Sequence, residues 1–115
     1  MNVVISIYGF FSVSAFGSGF NVRARDRKHL QALLKRFPQL KTKILVTPER
    51  DYRFRIEVAR RVWVKVVTSM AAEQTWSNFK KEAGRFAKHR DPGYLDALHE
   101  IWGVMYDLQE KEVTT

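Results

Sequence analysis

The sequence predicts an α+β fold, an antiparallel sheet of about four strands with helices packed on one face, in the order β-β-α-β-β-α-α-α. Apolar and polar residues alternate at period two over residues 3–25 and again over 52–58. Around and after these runs, apolar residues recur at the i, i+3, i+4, i+7 spacing of amphipathic helices. Glycine, proline and aspartate separate the two kinds of pattern, and strands followed by a run of helices form layers of the α+β type.

The opening stretch NVVISIYGFFSVSAFGSGF has no charged side chain before Arg23. Val3, Ile5 and Ile7, then Phe11, Val13 and Ala15, fall on one side, as in a strand that buries one face and wets the other. A spanning helix needs about 20 predominantly apolar residues; Asn2, the serines at 6, 12, 14 and 18 and the glycines at 9, 17 and 19 make this stretch too polar. A secretory signal begins with basic side chains, which are missing here, although Val13-Ser14-Ala15 has the small-x-small form of a cleavage site. No membrane segment is expected, and the expected location is cytoplasmic. Gly17-Ser18-Gly19 reads as a turn into a second strand, where Phe20, Val22 and Ala24 alternate with Asn21, Arg23 and Arg25.

Asp26 is the expected N-cap of a helix reaching Phe37, with Leu30, Leu33, Leu34 and Phe37 on one stripe and Pro38 ending it. Lys43–Thr47 reads as a strand, Pro48–Asp51 as a turn, and Tyr52–Val58 as the hairpin partner. In that partner Tyr52, Phe54, Ile56 and Val58 oppose Arg53, Arg55 and Glu57. The stretch 62–67 has strand propensity, yet Trp63, Val66, Val67 and Met70 keep helical spacing, so a helix from Arg60 is expected. Ser77 or Asn78 caps the next helix, through Phe79, Ala83 and Phe86 to Lys88-His89-Arg90. Asp91-Pro92 opens the last, a cap followed by proline at the first helical position, with Leu95, Leu98, Trp102 and Met105 on one stripe and an end near Gln109. At 115 residues the chain is short for two cores, so a single domain over 1–110 with a polar tail over 111–115 is expected.

The absence of cysteine excludes a disulfide scaffold, a cysteine nucleophile and thiolate metal sites. The net charge of +8 favours polyanions, nucleic acid first, then acidic protein surfaces. It is unevenly placed: +10 over 23–65, +3 over 66–90 and −5 over 91–115. An acidic last helix could therefore mask a basic middle.

If the second and fourth strands share a sheet, Arg23, Arg25, Arg53 and Arg55 project from its outer face, with Lys43 and Arg50 widening the patch. Guanidinium groups bind phosphate bidentately and stack on bases; basic residues at solvent-facing strand positions also blunt edge pairing. No aromatic residue alternates with these arginines on the outer face, so a base-stacking platform is not expected. Among the histidines, His29 and His89 read as structural or solvated, and His99 is the candidate for acid–base work, with Asp96 three residues earlier to orient its ring. No HExxH motif or histidine pair at metal spacing occurs, and neither metal nor cofactor is expected. Trp102 and Tyr106 read as core or as a partner surface.

The segments YGFFS (from Tyr8), VRAR (from Val22), DYRFRI (from Asp51), NFK (from Asn78), LHEIW (from Leu98) and MY (from Met105) together resemble a family of small uncharacterised bacterial proteins. The resemblance implies a bacterial or phage origin and a cytosolic setting, and assigns no activity and no catalytic residue. The expected function is a small basic binding protein without catalytic chemistry, holding an anionic partner, nucleic acid in the first place, through an arginine-rich sheet face. The alternatives are a protein-interaction or inhibitor module that docks on an acidic host protein or forms a homodimer, and a small metal-independent nuclease using His99.

Overall fold

The computed structural model describes residues 1–5 and 8–114, with side chains described at Met1, 8–87 and 91–112. The expected alternation of Val3, Ile5 and Ile7 and the side chains of Lys88-His89-Arg90 lie outside that description. The chain divides into two compact units, Met1–Trp76 and Ser77–Thr115.

The first unit carries the sheet. Strands β1 (Asn2–Ile5), β2 (Gly9–Phe16), β3 (Gly19–Ala24), β4 (Leu45–Val46) and β5 (Phe54–Ala59) lie in the order β1-β2-β3-β5-β4, every neighbouring pair antiparallel. The α+β class and the element order are as expected. The opening run, however, is a hairpin, which raises the strands to five. Ile5 pairs with Gly9 at its closed end. Gly9 has φ 144°, and a Cβ there would meet His29 Cγ at 2.3 Å, so only glycine lets the chain turn so close to the helix behind it.

Helix α1 (Arg27–Arg36) starts where Asp26 accepts a hydrogen bond from the Lys28 amide at 2.9 Å. It buries Leu30 and Leu33 and ends at Phe37, before a 3-10 turn at Pro38–Leu40. Helix α2 (Arg60–Ala72) follows β5 directly and buries Trp63, Val66 and Met70, which settles the 62–67 ambiguity by helical spacing. Phe11 and Val13 of β2, Val22 and Ala24 of β3, and Ile56 and Val58 of β5 join these helix side chains in one cluster, so α1 and α2 cover the same sheet face. Each fully buried Leu, Ile or Phe contributes about 1.5–3 kcal/mol to folding.

The second unit is helical. Helix α3 (Phe79–Arg90) is capped by Asn78, whose Oδ1 accepts from the Lys81 amide at 2.9 Å. Helix α4 (Pro92–Thr114) is capped by Asp91, whose Oδ1 accepts from the Tyr94 amide at 3.2 Å. The helices pack on one another, with Ala83 and Ala87 of α3 and Tyr94 and Leu98 of α4 buried. α4 runs past Gln109, through part of the segment expected as a polar tail. Among the described residues, no helix is long and apolar enough to cross a membrane.

Candidate functional site

β3 and β5 are adjacent, as the arginine reading requires, and their register sets Arg23 directly opposite Arg55. Because Val22, Ala24, Ile56 and Val58 point into the core, period two sends Arg23 and Arg55 to the other face. Like charges directly opposed across a ladder destabilise it unless something offsets them.

Arg23 is half-buried; its Nη2 donates to Ser12 Oγ at 2.8 Å, Ser12 being its cross-strand neighbour on β2. Arg55 is only 8% exposed; its Nε donates to Thr47 Oγ1 at 3.3 Å and its Nη2 to the Tyr52 carbonyl at 3.4 Å. Among the described residues neither guanidinium has a carboxylate within ion-pair distance. Burial, then the charges of Arg50 and Arg23, lower the pKa of Arg55 from its ordinary value.

Arg25 lies just beyond β3 and is committed differently. It donates to both Asp51 carboxylate oxygens, at 3.1 and 3.3 Å, and to the Asp51 carbonyl at 3.0 Å. That hydrogen bonding and the paired charge hold the Asp51 carboxyl below, and the Arg25 guanidinium above, their ordinary pKa values. The bridge is largely exposed, so its charge is answered but remains in reach of solvent.

Two expectations about aromatic residues are corrected here. Tyr52 does not continue the core face of Phe54, because β5 begins at Phe54 and residues 51–53 bend. Its ring instead sits with the outer arginines, 4.1 Å from Arg25 Cζ and 4.8 Å from Arg23 Cζ. Such cation–π contacts stabilise the guanidiniums and fix their position. The outer face therefore has an aromatic residue among its arginines. Arg50, Arg53 and Lys43 are exposed; Arg50, whose charge acts on Arg55, sits in the turn that its amide closes onto the Thr47 carbonyl at 3.0 Å.

The remaining candidates lie in the second unit. His99 is exposed and its ring lies tilted by 44° against Trp102, centroids 5.1 Å apart; among the described residues it has no hydrogen bond to Asp96. Trp102 is half-buried, with Phe79 edge-on at 5.8 Å and Lys80 Nζ over its ring at 5.1 Å. Tyr106 is exposed.

Sequence reasoning missed Tyr52, Asp51, Ser12 and Thr47 as partners of the arginines. Only the Asp51-Tyr52 pair, beside two arginines, offered a signal. Comparison with family models, curated proteins and solved structures finds no match to this chain.

Proposed function

We propose that this chain is a small non-catalytic binding protein that holds the phosphate backbone of a nucleic acid on the outer face of its sheet, centred on Arg23 and Arg55. The observation that carries this reading is their direct cross-strand opposition with, among the described residues, no carboxylate within ion-pair distance of either. A phosphate diester offers two acceptor oxygens that share one negative charge, which Arg23 and the exposed arginines beside it can meet while Arg55, only 8% exposed, adds its charge across the ladder. Arg50, Arg53 and Lys43 extend the same field, and Tyr52 keeps the Arg23 and Arg25 guanidiniums oriented. An acidic polypeptide presents isolated carboxylates and fits a single guanidinium fork rather than a phosphate track.

The test is anisotropy of labelled single- and double-stranded oligonucleotides across rising salt, with polyglutamate as competitor. Affinity should fall steeply with salt as counterions return to the phosphates, with polyglutamate competing weakly. Arg23→Ala combined with Arg55→Met should weaken binding at least about tenfold, the size of losing one or two charge-assisted contacts. Methionine fills much of the arginine volume, and the double change removes two like charges that oppose each other across the ladder, so the fold should survive. Absence of binding at low salt, or binding indifferent to the double variant, would sink the reading.

A further inference from the structure

We propose that the C-terminal half of α4 is a self-association surface, on which a second copy of this chain docks by antiparallel pairing of the two α4 ends. This surface lies in the helical unit and is independent of the arginine face.

The two helices differ in length. α3 has 12 residues and α4 has 23, about 18 and 34 Å. They are joined by Asp91 alone and fold back on each other, which brings Phe79, at the start of α3, level with Trp102. Beyond Trp102, α4 continues for more than three turns with no α3 beside it. One side of that overhang is apolar, beside charges at Asp107, Glu110, Lys111 and Glu112. Val104, Met105, Tyr106 and Leu108 are 67, 55, 58 and 57% exposed. Ile101, Val104, Met105 and Leu108 stand at i, i+3, i+4 and i+7, the stripe by which a helix meets another helix. Four large apolar side chains clustered on a helix end mark an interaction site.

Charge selects the occupant. α3 carries net +4 and α4 net −4. Lys80, at the start of α3, and Glu112, near the end of α4, line the same open cleft of about 710 Å³, with Trp102, Met105 and Leu108 between them. One end of the groove is thus basic and the other acidic, so the surface complements itself only when turned end for end. Antiparallel pairing about a two-fold axis lays Met105 and Leu108 of the two copies together. It also brings Glu112 of each copy within about one helical turn of Lys80 of the other. Parallel pairing would instead set Asp107, Glu110 and Glu112 against their own copies. Each overhang then occupies the space that a longer α3 would have filled.

Sedimentation equilibrium of the full chain from about 1 to 500 µM tests this, a range set for an interface at the small end of specific ones. The expected result is a reversible rise from 13.5 kDa to twice that mass. Met105→Glu with Leu108→Glu should weaken dimerisation more than tenfold while the helical circular dichroism persists. Lys80→Glu should also weaken it, and adding Glu112→Lys should restore it, a rescue that a folding defect cannot give. A chain monomeric at every concentration overturns the proposal, including one whose α4 end is protected from hydrogen exchange because another partner covers it. So does a dimer indifferent to both sets of substitutions.

Discussion

Among the described residues, Met1–Trp76 buries fourteen apolar side chains in one cluster, and Ser77–Thr115 buries four, two of them alanines. Charge divides along the same line. The sheet unit holds 14 basic and 5 acidic side chains, net +9; the helical unit holds 6 and 7, net −1, separated between its two helices. The sheet unit has the material to hold itself together and, among the described residues, leaves two opposed arginines on its outer face without a carboxylate within ion-pair distance. The helical hairpin of α3 and α4 has little interior, and domains this small usually depend on something further, such as oligomerisation. Excess stability in one unit carries a charged face; scarcity in the other leaves apolar surface exposed.

The largest expected effect probes that contrast in the cores. Leu33 and Leu98 are both 0% exposed. Leu33→Ala opens a cavity between α1 and a five-stranded sheet that cannot collapse into it, and should cost about 2–5 kcal/mol in urea denaturation. Leu98→Ala lies in a two-helix unit whose other buried apolar side chains, among the described residues, are Ala83, Ala87 and Tyr94, so the site should collapse more readily and the cost fall at the low end of that range. Equal costs would break the comparison, since they would mean that the hairpin is packed as rigidly as the sheet.

A smaller effect separates the units by pH. Tyr8 bonds the Glu73 carboxylate, which Arg36 also contacts at 2.7 Å, tying the start of β2 to the end of α2. Burial, then the hydrogen bond and charge of Glu73, raise the Tyr8 pKa from 10.0 to about 12. The folded state therefore holds this proton more tightly than the unfolded one. The stability it contributes is intact below pH 10 and is lost as pH rises through about 12. Tyr8→Phe should flatten part of the alkaline fall in melting temperature, at a cost near neutrality of about 1 kcal/mol for the lost bond. Tyr94 in the other unit is also pushed up, by burial and then by Asp91, so the slope that survives in Tyr8→Phe should shrink further when Tyr94→Phe is added.

Much of this architecture was legible because local chemistry dictated it: Asp26, Asn78 and Asp91 each cap the helix expected after them. The opening hairpin was hidden for a geometric reason. Val3 pairs with Phe11 and Ile5 with Gly9, so odd residues face odd residues and the period-two pattern runs through the turn without a change of phase. Gly9 was the one residue that could have revealed it. The arginine face was legible as far as Arg23 and Arg55 sharing a side, which alternation fixes. It was not legible that Arg55 is buried, that Asp51 answers Arg25, or that Tyr52 lies against two guanidiniums. Those depend on how residues 47–53 bend, and a turn read from PERD specifies no such path.

The smallest expected effect is also the strictest on the hairpin. Val104 is 67% exposed, so in dilute protein Val104→Ser removes little buried surface and should shift unfolding by no more than about 0.5 kcal/mol. The helix-propensity change is of similar size or less, because valine and serine rank together. At high concentration the same substitution should matter more, since pairing of α4 ends would bury Val104 and mass action would add that burial to apparent stability. A concentration-dependent difference between Val104→Ser and the unsubstituted chain therefore measures the surface directly. A large cost at low concentration would mean that α4's end is already covered within one molecule, and the hairpin would then be no less buried than the sheet.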